Sequence, residues 1–464
     1  MSGYSEGGAG YKRPALKSWS PLHLSSKSDL DYNIDVLRNR AADLVMNSPL
    51  GAAAIQTMTT GTLSTGLKLF PTPKFKELGL SAEAAREWAR RVKLEFEMWA
   101  QSLDSDFNMR NNFMELQRLI FQSYLTEGDC FVLLKRRAGS RYTLKLQAIE
   151  AARISNPNSS FNLTESMYGN NKIVNGIEVD RSGRLQAAWI SNRLWNEIEV
   201  APAKLEWQRV KFFGQNGNRN ILHICYDTRP GMFRGAPLLS PVIETLKQVT
   251  RYSDAELTSA IIKSFFSLFF IQPASNLDMK GILPQEDLDI TQYKLGSGTL
   301  SALPRGVDVK AIEHNNAQST FDPFISHFTR QIGAALNIPF EVLTKNFQSS
   351  YSASRAALIE AEKEFRQRRA AFVLDFCAPV YENWLIEAVA TEKIEAPHFF
   401  DNEMTRYLWS RADWRTEVAP AIDPVKDANA AKLRLEMGIS TREIECIRNG
   451  EDYWDIREQL KFEN

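Results

Sequence analysis

The chain has 464 residues, with 56 Lys+Arg against 56 Asp+Glu, 44% hydrophobic residues and 24% charged ones. That length fits about three domains or one large multi-part unit, and the composition excludes disorder as the dominant state. Zero formal net charge argues against a protein that clamps nucleic acid through bulk positive charge.

Residues 1–26, rich in Gly, Ser, Tyr and Lys, read as a mobile arm without the apolar core of a signal peptide. A helix is expected after Ser28, with Leu30, Ile34, Leu37, Ala41 and Leu44 on one face. Ser48 followed by Pro49 predicts the start of a second helix. Residues 61–73 read as a turn-rich connector. Ser81 opens a helix to about residue 103 that should bury Trp88, Val92, Phe96 and Trp99. Another, roughly 110–126, presents Phe113, Leu116, Ile120 and Tyr124 and stops at Gly128-Asp129.

The apolar period then changes to two. Segments 130–134 and 142–149 predict one hairpin, and 173–180 with 184–191 another. Segments 206–213 and 221–226 complete a mostly β middle section. After Arg234-Gly-Ala-Pro237 a helical period runs from Leu239 to Phe265, a rod on the order of 45 Å at ~1.5 Å per residue. A strand-rich insert, 267–318, follows. Asp322-Pro323 is expected to cap a helix carrying Phe324, Phe328, Ile332 and Leu336, ended by Asn337 and Pro339. A loop leads to a long helix from about Ala353 to Ala390, kinked at Pro379. Asp423-Pro424 starts one C-terminal helix and Gly438 ends it; Ser440 with Glu443 forms a capping box for the next, and Gly450 precedes the last.

Chemical motifs are sparse. Cys130, Cys225, Cys377 and Cys446 form no CxxC pair, which fits a reducing, intracellular compartment. The most apolar stretch, 264–271, is far shorter than the ~20 residues that span a bilayer. Gly61-Thr-Leu-Ser-Thr-Gly66-Leu67-Lys68 departs from a P-loop because Leu67 displaces the lysine, so a plain connector is the better reading. Asp308-Val-Lys310 and Asp278-Met-Lys280 resemble half of a nuclease pattern but lack converging carboxylates. His223 and Cys225 share one face of a strand without a second ligand pair. Neither HExxH nor GxSxG occurs, so no catalytic, cofactor-binding or metal residue is assigned. The run from Glu360 to Arg369 is either a solvated face, paired as Glu362–Arg366 and Glu364–Arg368, or a charged wall facing a polar partner or a water-filled bore. Phe265, Phe266, Phe269 and Phe270 cannot all face one side of a helix, which leaves core and oligomer contact both open.

Several strings, taken in order, resemble the lambda-type portal proteins of tailed bacteriophages. These are Ile149-Glu-Ala-Ala-Arg153-Ile-Ser-Asn-Pro157; Gly176-Ile-Glu-x-Asp180 with Gly183 and Ala188-Trp189; His223, Arg229-Pro-Gly231 and Arg234-Gly-x-Pro237; and Tyr252-x-Asp254-Ala-Glu256. Ile338-Pro-x-Glu-x-Leu343, Tyr351-Ser-Ala-Ser-Arg355, Ile422-Asp-Pro424 and Gly438-x-Ser440 continue the series. Met232 stands where the family often has Gln, and Ala152 where it has Asp. The resemblance implies an α+β portal-type fold, assembled as a ring that is typically dodecameric, at one capsid vertex. Double-stranded DNA would pass through it during packaging and ejection. The implied partition is an arm (1–26), a wing (27–236), a stem helix (237–266), a clip (267–318), a second stem helix (319–337), a tunnel loop (338–352), a long kinked helix with return to the wing (353–420) and a helical crown (421–464). Channel residues would be Lys345, Asn346, Gln348, Ser349, Ser350 and Tyr351. Asp278, Lys280, Glu286, Asp287, Lys294 and Arg305 of the clip would dock partners. Those partners are implied to be terminase, head–tail connector or adaptor proteins, and major capsid and scaffold proteins, with no membrane and no cofactor. A different virion assembly protein, or a DNA-acting nuclease or ATPase, is the competing reading.

Overall fold

The computed structural model describes residues 14, 17–22, 24–157, 166–194, 204–215, 217–265, 269–271, 308–310, 318–348, 350–417 and 423–463. Contacts divide the chain into two units, Met1–Leu246 with Arg330–Asn464, and Lys247–Thr329.

The larger unit opens with helices α1 (Ser26–Asp31), α2 (Ile34–Asn47) and α3 (Pro49–Leu63), strand β1 (Lys68–Pro71), and helices α4 (Ala82–Gln101) and α5 (Phe113–Glu127). The β section holds β2 (Asp129–Arg136), β3 (Leu144–Ile149), β4 (Ser166–Tyr168), β5 (Asn171–Val174), β6 (Ile177–Val179), β7 (Leu185–Ser191), β8 (Trp207–Lys211) and β9 (Ile221–Cys225). Helix α6 (Ile243–Phe265) leads to strands β10 (Phe269–Ile271) and β11 (Asp308–Lys310) and to helix α7 (Gln318–Ala335). The chain continues through α8 (Phe340–Thr344), α9 (Tyr351–Phe372), α10 (Ala378–Ala390), α11 (Glu403–Trp409), β12 (Ala412–Arg415), α12 (Pro424–Glu436), α13 (Arg442–Arg448) and α14 (Tyr453–Glu463). Among the described residues no helix is long and apolar enough to cross a membrane.

Two antiparallel sheets form the β section, with strand orders β3-β2-β9 and β4-β5-β6-β7-β8. Their apolar faces meet in one core, where Phe131, Ile149 and Ile221 pack with Ile154, Ile177, Ala188, Ile190 and Phe212. The helical core is aromatic. Phe96 lies 5.2–5.9 Å from the rings of Trp99, Phe113, Tyr381, Trp384 and Trp414, mostly edge-on, which ties α4, α5, α10 and β12 together. Trp88, expected in that core, is only half-buried and lies tilted against Trp409 at its edge, with ring centroids 4.7 Å apart.

Several elements differ from expectation for identifiable reasons. The helix expected from Ser28 is broken after Asp31, and Ser25 caps its first turn. The connector 61–73 holds the end of α3 and strand β1, which pairs with β12 more than three hundred residues later. No local alternation announces a strand whose partner is that distant. Segment 173–180 is two strands, because Asn175 (φ 47°) and Gly176 (φ 81°) turn the chain back on itself. An Asn-Gly pair between apolar runs is the signal for that turn. Pro323 lies inside α7 rather than at its start. The irregularity expected at Pro379 is a π turn, residues Val373–Cys377, immediately before it. A widened turn accommodates a ring that carries no N–H and would crowd the preceding carbonyls. The cap of α13 is Thr441, whose hydroxyl accepts from the Ile444 N–H at 3.2 Å, rather than Ser440.

Candidate functional site

The segment 338–352 is entered through a tightly built helix end. Asn337 sits in the left-handed region (φ 55°), and the Ile338 N–H reaches back to the Gly333 carbonyl at 2.8 Å. A Cβ on Gly333 would lie 2.4 Å from the Ile338 carbonyl oxygen, so only glycine admits this return. The expected loop is not wholly irregular. Pro339 starts α8, and Leu343 anchors that helix in the core. Lys345 ends it in the left-handed conformation (φ 55°), donating its N–H to the Glu341 carbonyl, as does Asn346 at 3.1 Å. Beyond this point every described residue from Lys345 to Ala353 is exposed, including Asn346, Phe347, Gln348, Ser350 and Tyr351. Ser350 then caps α9 by accepting the Ala353 N–H at 3.4 Å, and Tyr351 is already helical. The Lys426 ammonium lies 5.6 Å from the Tyr351 ring. Ser349 lies outside the described residues, as do Asp278, Lys280, Glu286, Asp287, Lys294 and Arg305.

Helix α9 carries this segment on a half-free rod. From Tyr351 to Glu360 none of its residues is buried, and its anchors are Ala361, Phe365 and Phe372. Phe365 packs directly on Gly61, where any Cβ would meet the ring at 2.3 Å. Arg369 donates to the carbonyls of Gly61 and Thr62 at 2.9 and 2.7 Å, closing the C-terminus of α3. The glycine that suggested a phosphate loop is therefore a helix-packing position. Leu67 is fully buried, its backbone held on both sides by the Gln117 amide, and Lys68 opens strand β1. The charged run 360–369 forms the two expected pairs, Glu362–Arg366 at 3.5 Å and Glu364–Arg368 at 2.6 Å. Arg368 also reaches the Tyr124 hydroxyl at 2.8 Å. A groove of about 910 Å³ follows the exposed face of α9, lined by Tyr351, Arg355, Leu358, Ile359, Asp423 and Asp427 among others.

The second cluster was only half visible in the sequence. His223 and Cys225 lie on one face of β9, where Asp129 of β2 joins them with ligand atoms within 4.8 Å of one another. Asp129 is fully buried and already saturated. Its Oδ1 accepts from Arg38 at 2.8 Å and Arg234 at 3.2 Å, and its Oδ2 from Arg234 at 2.6 Å, with His223 Nε2 at 3.2 Å. Burial favours the neutral carboxyl, yet Arg234 and Arg38 outweigh it and hold the group far below the carboxylate range. Burial and the nearby Arg234 push Arg38 down to about 10. Two guanidiniums on the same carboxylate repel any cation offered to it. Arg234 further donates to the carbonyls of Ala151, Ile154 and Asn175 at 2.7, 2.9 and 2.6 Å. This cluster is a knot joining α2, both sheets and the segment before α6. Neither Arg38 nor Asp129 carried a sequence signal; Arg234 was visible only within a string.

The chain matches the family described as phage portal protein, lambda family, over residues 12–369. It is 26% identical to portal protein B of Escherichia phage lambda, an alignment covering 98% of this chain and 88% of that protein. It is 24% identical to the portal protein of Escherichia phage N15, over the same shares. Among solved structures it shares the fold of a chain from the neck of a native gene transfer agent particle computed with C12 symmetry. That match has a TM-score of 0.50 and 12% identity, covering 89% of this chain and 94% of the other.

Proposed function

This chain belongs to the lambda family of phage portal proteins, and from that premise we propose that it works as a closed ring at one capsid vertex, a conduit for double-stranded DNA with no catalysis of its own. The observation that carries this reading is the run 345–353, exposed at every described residue and held between the left-handed end of α8 at Lys345 and a serine-capped rod. Repeated around a ring, such a segment presents Lys345 to passing phosphates without reading sequence. Asn346, Gln348, Ser349, Ser350 and Tyr351 add neutral polar groups. One lysine per copy in this run suits a channel in which DNA must slide. Proteins that neutralise many phosphates bind with steep salt dependence instead.

Residues 267–318 serve as the clip, docking terminase and later the head–tail connector or adaptor proteins. Their four Lys/Arg against six Asp/Glu favour a protein partner over a DNA grip. Segments 27–236 and 353–420 form the wing and 421–464 the crown, which face the major capsid and scaffold proteins. The energy for movement comes from the partner ATPase. Heterologous interfaces that close make the ring, with about twelve copies expected from the fold's C12 relative.

Negative-stain images of the purified chain test the assembly: rings with a central hole are expected, and uniformly monomeric particles under assembly conditions would sink the reading. For the channel, rings carrying Lys345→Ala should package DNA with an altered salt response. Unchanged efficiency and unchanged salt response would remove Lys345 from the DNA path.

A further inference from the structure

The last helix is attached in an unusual way. None of the residues of α14 is buried. Its tethers to α4 are an Arg90–Glu458 pair at 3.5 Å, a Lys93–Asp455 pair at 2.8 Å and the Arg86 guanidinium over the Trp454 ring at 3.8 Å. Both members of the first pair are more than half exposed. A groove of about 640 Å³ remains between residues 70–75, the first half of α4 and α14 itself. Phe70 lies in it, with Lys93 4.9 Å and Arg415 4.1 Å from its ring centroid. The Nε of Arg415 is buried without a partner. The helix hangs on a short turn: Gly450 is left-handed (φ 80°) and returns its N–H to the Ile447 carbonyl, while Asp452 caps the next turn through the Trp454 N–H at 2.8 Å. Charge and shape on the α4 side therefore match the Trp454-Asp455-x-x-Glu458 face of α14.

We propose that α14 is an exchangeable clasp, which in the assembled ring docks on the α4 groove of a second copy. The proposal rests on the ring reading for the proximity of that copy. Three observations support it. Charge-based tethers without a buried side chain release and re-form readily, since exposed pairs are screened by salt. A neighbour offers the identical complementary face, so every contact is regained in the exchange. Neighbours in a ring also hold the second helix at high effective concentration, which favours engagement between copies without new contacts. Phe462, 91% exposed, lies on the same helix without cover from its own chain.

The test uses full-length chains in which Cys446, half-buried near the clasp, is replaced by Ser. One chain carries Arg90→Cys and the other Glu458→Cys, leaving the Lys93–Asp455 pair and the Arg86–Trp454 contact in place. The two are co-assembled and treated with a short bis-maleimide. Exchange predicts a bridged dimer joining the two kinds of chain. The Cys446→Ser parent without engineered cysteines should give no such dimer. A chain carrying both cysteines that bridges only within itself, with no product between the separate variants, would overturn the proposal. So would the absence of any bridge in either sample. Microscopy of the same samples separates the two readings: rings without bridged dimers refute the clasp alone, whereas failure to form rings refutes the assembly.

Discussion

At the residue scale, the buried carboxylate of Asp129 sets the strongest local constraint. Removing one partner of a buried pair leaves an uncompensated charge, at a cost of roughly 3–5 kcal/mol. Arg234→Met should therefore lower the unfolding free energy, read from urea denaturation, by that order, and a loss below about 1 kcal/mol would contradict the knot as described. Gly128 and Gly235 lie back to back beside it: a Cβ on Gly235 would come 2.0 Å from the Gly128 carbonyl oxygen. The glycine of Arg234-Gly235 is thus there because two backbones touch. None of this was legible in the sequence, where Asp129 read only as the end of a helix; burial and pairing of a charge depend on a strand whose His223 lies 94 residues away. A second acid behaves oppositely. Burial raises Asp375 to about 6, with His223 and Arg219 opposing and Asp227 adding to the rise. Its unfolded value is about 3.9. The folded state thus holds the proton longer, so stability falls as pH rises from about 4 through about 6, then levels off. Burial sets Asp31 at about 6 with the same sign. Asp375→Asn should flatten part of that decline, read as urea midpoints at about pH 4.5 and pH 7; an unchanged difference between the two would refute the assignment.

At the element scale, caps were legible where their chemistry was local. Ser48 before Pro49, Ser81, and Asp423 before Pro424 all cap helices as their residue types require. The cap of α13 was displaced by one residue, because Ser440 and Thr441 both have the right hydroxyl and only backbone geometry decides between them. Thr441 is extended (φ −118°, ψ 160°) and bonds the Ile444 N–H. Thr441→Ala should cost α13 about 1 kcal/mol, seen as faster amide exchange at residues 442–448, whereas Ser440→Ala should cost clearly less. A reversed order would restore the original box. Strands β5 and β6 were missed as a pair although Asn175-Gly176 lay in plain view; the period-two alternation outweighed the turn signal. Strand β1 had no such signal, since its only pairing among the described residues is with β12.

At the scale of the whole molecule, the order of parts was legible and their contacts were not. A helix period over residues 239–265 and another after Ala353 correspond to α6 and α9. The described residues of 345–352 are exposed and lie in the expected loop 338–352, which α8 opens and the first turn of α9 closes. What periodicity cannot tell is which apolar residues lack a partner within one chain. Leu358 and Ile359 are 37% and 55% exposed on α9. Changes at such positions move the stability of an isolated chain by about 0.5 kcal/mol at most. Leu358→Asp with Ile359→Asp should therefore leave the chain's unfolding almost unchanged while lowering the yield of rings. Normal ring yield would show that this face stays solvated in the assembly.

The π turn between α9 and α10 has a consequence for how that rod is aimed. A single surplus residue in a helix advances all that precedes it by about 100° around the axis. Leu374, the second residue of the turn, is 69% exposed and free to be that surplus. The turn is then a fixed phase offset. It lets the deeply packed α10 keep its register with the aromatic core while the face of α9 that carries Tyr351, Arg355 and Ile359 points in a direction of its own. Insertion or deletion of one residue here would re-aim the rod without unpacking its base.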